Sequence, residues 1–300
     1  MRKASSLVLL LFSLVSLAQQ DPLYSQYQFN QLMINPAYAG IYSQISAGLI
    51  SRFQWAGIEG APRTNTITAQ AGLAEGRVGL GGVVLNDQFG VSSNYEVQLS
   101  GSYNINFYNA RLAMGIQGGV IQYGYDFTNV EFDFLDDPEI TANHENITRP
   151  SFGVGFMYMR EDFFVGFSVP RILNISVTDG ISSSERYRKH YYMTAGFVKE
   201  VNNMPFKFMG LIRSMDSETL STDLSLSALL ENAMWAGIIV RDFQHFGIIG
   251  IIEVSNNLQI GYSFELPSNS LIYGNYGTHE VSLTCRFASV NRTLFEEKYF

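Results

Sequence analysis

The four histidines, His144, His190, His245 and His279, are the first residues to test for metal or acid–base chemistry. They lie far apart, and their separations match no metal-ligand spacing. Carboxylates gather in the run EFDFLDDPE at 131–139, where a calcium ion or a basic partner surface could sit. The spacing is not that of an EF-hand, so a solvated acidic loop is the simpler reading. The chain has no G-x-S-x-G elbow and no H-E-x-x-H. GLGG at 79–82 lacks the Lys-Ser/Thr that completes a phosphate-binding loop. Those glycines read instead as relief of crowding, or as a place where a strand bends. A serine paired with a histidine would make a lipid hydrolase, but no such pairing is readable. The chain is therefore expected not to be an enzyme, and to hold no cofactor and no metal.

The elements that would position any such group are strands. From Ser93 to Phe107, Tyr95, Val97, Leu99, Gly101, Tyr103, Ile105 and Phe107 alternate with Asn94, Glu96, Gln98, Ser100, Ser102, Asn104 and Asn106. A period of two held this long exceeds the usual globular strand of about five or six residues. It suits a tilted strand crossing a bilayer, which needs about nine to eleven. About fourteen segments read this way, near 43–53, 64–73, 77–86, 93–107, 111–125, 151–159, 163–169, 187–200, 206–214, 222–230, 234–241, 246–254, 258–265 and 278–287. The connections alternate as well. Those at 74–77, 108–111, 160–163, 201–206, 231–234 and 255–257 are tight. Those at 54–64, 86–93, 126–150, from Pro170 to about 187, 214–221, 241–246 and 265–278 are mostly longer. Short turns on one side and longer loops on the other mark an outer-membrane barrel. An even strand count then leaves both termini in the periplasm.

Composition agrees with this reading. The 300 residues include 27 Gly, 17 Tyr and 22 Phe, with 15% charged. Gly, Tyr and Phe serve turns, interfacial girdles and lipid-facing positions. The polar face is mostly Asn, Gln, Ser, Thr and Gly. A soluble sandwich would have shorter strands and more charge on that face. The net charge of −8 and the scattered Lys and Arg argue against nucleic acid. Cys285, the single cysteine, excludes an intramolecular disulfide.

Four divisions follow. Residues 1–18 read as a signal peptide, with Arg2 and Lys3 before an apolar core from Leu7 to Leu17. Residues 19–42 either plug the lumen or sit under the periplasmic rim. Residues 43–287 form the outer-membrane β-barrel, and 288–300 a charged periplasmic tail. The fold class expected is all-β, a transmembrane antiparallel barrel of about fourteen strands closed so that no edge faces lipid.

The stretch DPLYSQYQFNQLMINPAYAG carries a resemblance through Asp21, Pro22, Ser25, Gln26, Tyr27, Asn30, Asn35, Pro36, Ala37, Tyr38, Ala39 and Gly40. It resembles the mature start of the PorP/SprF family of Bacteroidetes outer-membrane proteins of the type IX secretion system. Arg52, Gln54, Trp55, Gly57, Gly60, Ala61, Pro62 and Thr64 match the family's R-x-Q-W…G-A-P-x-T element, assigned to the first external loop. GLGG with Asp87 and Gly90, GYSFE at 261–265 and G-T-H-E at 277–280 continue the likeness. Family members usually have G-S-H-E, and an Asp after the GYS aromatic, so two positions depart.

The resemblance implies an outer-membrane barrel that supports export or surface docking of a cognate substrate. Such substrates tend to be adhesin-like, with a type B C-terminal domain, and some members support gliding motility. Implied partners are that C-terminal domain, periplasmic or outer-membrane secretion components, and the lipid bilayer. The external loops expected to receive the substrate contain Phe132, Phe134, Asp136, Arg171, Arg186, Tyr187, Tyr273 and Tyr276. The N-terminal motif and short turns are expected to face secretion partners. The alternative is a general diffusion porin or small-molecule transporter, which would share the alternation and topology.

Overall fold

The computed structural model describes residues 24–41, 45–125, 146–173, 175–179, 182–187, 189–215, 219–269, 272 and 274–287. The wall begins with β1 (Ser46–Phe53), β2 (Arg63–Leu73), β3 (Val78–Phe89), β4 (Ser92–Asn106) and β5 (Arg111–Tyr125). β6 (Ile147–Met159) and β7 (Phe163–Val169) follow. A separate hairpin of β8 (Ile175–Asp179) and β9 (Ser182–Tyr187) comes next. The wall resumes with β10 (His190–Val201), β11 (Met204–Met215), β12 (Thr219–Leu230) and β13 (Met234–Arg241). It ends with β14 (His245–Ser255), β15 (Leu258–Pro267) and β16 (Thr278–Arg286).

β1 to β7 and β10 to β16 form one closed antiparallel barrel of 14 strands. The seam joins β1 to β16, from Ser46 against Arg286 to Phe53 against His279. Closure gives the wall's backbone donors and acceptors partners within the sheet, the condition for crossing hydrocarbon.

The faces are inverted relative to a soluble barrel. In β4, Leu99 is 70% exposed and its neighbour Gln98 only 2%. Tyr95, Val97 and Tyr103 face outward with Leu99, while Glu96, Ser100, Ser102 and Asn104 are buried inside. The same parity runs through β16, where Val281 and Leu283 face out and Glu280 and Ser282 face in. No helix among the described residues is long and apolar enough to cross a membrane.

One rim carries short turns. Asn202 and Asn203 both take positive φ, at 52° and 63°, giving the two-residue hairpin whose twist matches its strands. The opposite rim carries the longer connections, with three exceptions. Only 90–91 separate β3 from β4, 216–218 separate β11 from β12, and 242–244 separate β13 from β14. Those three were expected to be longer; the strands continue further, and the backbone turns at Gly90 and at Asp242 and Phe243, all at positive φ. The β8–β9 hairpin, inside what read as a plain connection, is a second difference.

β7 is a short strand, so β6 stands beyond it over Ile147–Gly153. Among the described residues no strand pairs with that edge. Ile172 N–H donates to Phe152 O at 2.8 Å, which points the even-numbered residues of β6 toward the edge. Pro150 shares that direction, so its missing N–H falls on the open side and blunts further pairing.

Candidate functional site

Residues 24–41 lie inside the barrel as three short 3-10 turns, Ser25–Phe29, Gln31–Met33 and Pro36–Tyr38. The last begins at Asn35, whose Oδ1 accepts from Ala37 N at 2.9 Å, with Pro36 at the first helical position. Gly40, at φ +59°, ends the run pressed against Ala71 O and the Cα of Gly79. Tyr27, Leu32, Ile34, Ala37, Tyr38 and Ile41 bury their side chains against Val83, Ala113, Met157, Phe164, Met209 and Leu211 of the wall. Tyr38 meets Phe164 edge to face at 6.4 Å.

The wall accepts this segment through missing side chains. A Cβ at Gly115 would overlap Pro36 and Ala37, one at Gly79 would overlap Ala39 O, and one at Gly155 would overlap Asn35 Oδ1. Side chains of the wall then bond the segment's main chain. Ser168 Oγ donates to Ile34 O at 2.6 Å, Ser102 Oγ to Ala39 O at 2.7 Å, and Arg111 Nη1 to Ile41 O at 2.7 Å. In return Gly40 N donates to Gln70 Oε1 at 3.1 Å, and Asn30 Nδ2 to Thr68 Oγ1 at 2.8 Å.

The other end of the segment rests on charge. Glu280 of β16 is fully buried, and its carboxylate accepts from Ser25 N at 2.8 Å and Gln26 N at 3.1 Å. It also accepts from Ser263 Oγ at 3.2 Å and is paired with Arg52 of β1. Arg52 lies 3.9 Å from Glu265 of β15, which receives Arg241 of β13 at 3.2 Å. Arg241 Nε reaches both oxygens of Asp223 on β12, at 3.0 and 3.1 Å. Ser25 Oγ donates to Glu265 as well. The lumen wall thus carries a chain of alternating charge from β1 to β12, and the N-terminal segment is seated on it. Mutual pairing is what lets these ions stay buried. Burial pushes the phenols of Tyr24 and Tyr27 above the ordinary tyrosine range, so both are neutral. Lys207 lies over the rings of Phe29 at 5.0 Å and Trp235 at 4.3 Å.

Above this seat the rim is ordered by the same stretches of chain. Ala56 N donates to Gly277 O at 2.8 Å, Tyr276 N to Ala56 O at 2.7 Å, and Gly90 N to Gly60 O at 2.8 Å. Gln54 N bonds Pro62 O at 3.0 Å. Trp55 holds φ 51°, and Trp55 N donates to Thr278 Oγ1 at 3.4 Å. Gly57, at φ +94°, lies under the Tyr276 ring, where no side chain fits, and that ring is 77% exposed.

The residues singled out from sequence are thus divided between two places. Ser25, Gln26, Tyr27, Asn30, Asn35, Pro36, Ala37, Tyr38 and Gly40 fill the lumen. Gln54, Trp55, Gly57, Gly60 and Pro62 form the rim loop with Tyr276. Arg52 and Thr64, assigned to that loop by motif, are instead buried strand residues of β1 and β2. Thr64 Oγ1 donates to Asp87 Oδ1 at 2.7 Å. Arg171, expected on a docking loop, folds inward because Glu96 supplies a buried carboxylate, with contacts of 3.2 and 2.5 Å. Asp21, Pro22, Phe132, Phe134, Asp136 and Tyr273 lie outside the described residues. Arg186 and Tyr187 are placed only as backbone of β9. Sequence reasoning missed the slots at Gly79, Gly115 and Gly155, and the partners Asp223 and Arg241. Glycine at inward parity was the available signal for the slots. Among the described residues no cluster of His, Cys, Asp and Glu could hold a metal.

Comparison with solved structures finds outer-membrane barrels. The chain is similar to the CymD monoaromatic hydrocarbon channel, at 11% identity and TM-score 0.50, over 88% of this chain and 93% of that one. It is similar to the outer membrane protein Omp33 of Acinetobacter baumannii, at 11% identity and TM-score 0.48, over 83% and 100%. The KdgM porin matches at 10% identity and TM-score 0.41, over 81% and 99%. These likenesses concern the fold alone. No curated protein matches the sequence. The sequence model of one family, described as type IX secretion system membrane protein PorP/SprF, matches residues 16–285.

Proposed function

The chain belongs to the PorP/SprF family of type IX secretion system membrane proteins, and from that premise we propose that it is an accessory barrel that docks an exported substrate at its outer rim. It is an outer-membrane protein with short periplasmic turns and longer external loops. Membership implies association with components of the secretion machinery. The observation that carries the proposal is the filled lumen. Residues 24–41 occupy the interior, with both main chain and side chains bonded to the wall. A barrel of fourteen strands has no room to pass a folded domain beside such a segment. What remains for function is the rims.

The resemblance supports a cognate substrate with a type B C-terminal domain, adhesin-like in kind, and no catalysis by the barrel itself. The ordered rim of Trp55, Gly57 and Tyr276 offers an exposed aromatic of the type enriched at interface centres. Two measurements on the purified full chain test the proposal. Planar bilayers should show no steady conductance, and the barrel should co-purify with the substrate's C-terminal domain. Deleting 130–145, or substituting Tyr276→Ala, should release the substrate from the cell surface while the barrel still assembles. Large steady conductance with normal surface display in both variants would establish a diffusion porin instead.

A further inference from the structure

We infer that His279 is the positioning residue of the outer rim, clamping the turn at 275–277 so that the Tyr276 ring is held in place for the docked partner. The inference rests on the docking reading above and names the residue that sets its platform. His279 shares the outward parity of Val281 and Leu283, and its cross-strand neighbours are Phe53 on β1 and Phe264 on β15. Its ring lies 5.0 Å from that of Phe264, tilted by 45°. An imidazole set in such an apolar row costs free energy unless its nitrogens are bonded. Both are: Nε2 lies 3.1 Å from Tyr276 O, and Nδ1 lies 2.8 Å from the Tyr262 hydroxyl.

The partners fix the tautomer of the neutral ring. A carbonyl oxygen only accepts, so Nε2 carries the proton and Nδ1 accepts from the Tyr262 hydroxyl. A clamp thus runs from β15, through the imidazole, to the main chain of the rim. The other bonds of the turn do not anchor it to the wall in this way. Tyr276 N and Gly277 O both bond Ala56, and Gly277 N donates to Asn275 Oδ1 at 2.7 Å. These tie the turn to the neighbouring loop and to itself, and would let the two move as one body. On the inner side Thr278 Oγ1 offers Trp55 N only a 3.4 Å contact. His279 instead stands in a strand registered against both neighbours. With the Tyr276 carbonyl drawn to the outer side and its N–H bonded to Ala56, the ring is left lying on Gly57.

The test uses the full chain in nanodiscs. With the ring neutral, ¹⁵N NMR of His279 should show a protonated Nε2 and a bare Nδ1. His279→Phe keeps the ring and removes both bonds; the amides of Ala56 and Tyr276 should then exchange at least about fivefold faster, the factor that one net hydrogen bond is worth. The Ser25 and Gln26 amides, on the inner side of the same strand, should keep their rates. His279→Gln, which restores an N–H donor near the Nε2 position, should bring exchange back toward wild type. Tyr262→Phe, for use should His279→Phe fail to fold, removes only the hydroxyl that holds Nδ1 and should accelerate the same two amides by a smaller factor. In cells His279→Phe should release the type IX substrate and His279→Gln should retain it. Unchanged exchange in His279→Phe or, where that variant does not fold, in Tyr262→Phe, no recovery in His279→Gln, or a proton on Nδ1 overturns the clamp. Release by Tyr276→Ala with normal retention in His279→Phe leaves docking standing and overturns the role of His279 in it. Accelerated exchange that His279→Gln repairs, with normal retention in His279→Phe and Tyr276→Ala alike, upholds the clamp and removes the docking reading instead.

Discussion

Removing the Glu280 carboxylate should unseat the N-terminal segment while leaving the barrel intact. In Glu280→Ala, Arg52 keeps only Glu265, at 3.9 Å, as a counter-charge. The main-chain N–H groups of Ser25 and Gln26 lose the acceptor they reach at 2.8 and 3.1 Å. Breaking a buried ion pair by deleting one partner costs about 3–5 kcal/mol. Each stranded donor adds about 1–3 kcal/mol, though such terms do not add fully. Even the lower figure of about 3 kcal/mol moves the seated–unseated balance by about two decades. None of this falls on the wall, because the ladder between β16 and its neighbours is main-chain bonding that the Glu280 side chain does not enter. The barrel should therefore still migrate as a folded, heat-modifiable species, while residues 24–41 become open to protease and planar bilayers record new conducting events.

A double variant separates the two contributions. In Arg52→Met/Glu280→Leu no lone ion is left, and replacing a buried pair with apolar residues of similar volume is often neutral. The Ser25 and Gln26 donors remain stranded, so protection of the segment should recover in part and not completely. Wild-type protease resistance and a silent bilayer in Glu280→Ala would refute the view that the carboxylate seats the segment. Equal opening in the single and double variants would refute the assignment of most of the cost to Arg52.

Three further outcomes are expected. Gly115→Val should displace residues 36–37 because its side chain would occupy their backbone, and hydrogen exchange of the Ala37 and Ala39 amides should accelerate without loss of the barrel. Leu99→Arg, at a 70% exposed position midway along β4, should lower stability in phospholipid by about 2–4 kcal/mol by urea titration; a cost near zero would place that face outside the bilayer. Tyr276→Ala should leave barrel stability within about 0.5 kcal/mol, as exposed substitutions do, while weakening substrate retention. Unchanged retention would remove this ring from the docking surface.

The wall was legible in the sequence because parity is a local property. The segments at 111–125, 163–169 and 234–241 coincide with β5, β7 and β13, and most others differ by a few residues at an end. The β8–β9 hairpin was not legible: its strands are short, and SSSER has no apolar face to set a period. The three expected loops at 86–93, 214–221 and 241–246 failed for a related reason. Strands that project past the bilayer no longer need alternation, so their ends resemble loops. The seat lay beyond local reading altogether. Ser25 and Glu280 are 255 residues apart, and only barrel closure brings them together.

Closure also accounts for why the motif residues occur as short contiguous stretches. In the first, Arg52 points inward to Glu280 while Trp55 and Gly57, a few residues on, build the rim. In the second, Tyr276 and Gly277 belong to the rim while Glu280 points inward. Side-chain alternation at a strand end requires this division, because one stretch must finish a wall and begin a loop. The two stretches meet twice, through Arg52–Glu280 inside and Ala56–Gly277 outside, since β1 and β16 are neighbours only at the closing seam. The polar lumen face therefore meets a folded stretch of the chain itself. Its serines, glutamines and carboxylates complement a chain segment whose main chain lacks a sheet of its own, and the same strands that seat that segment carry the outer platform.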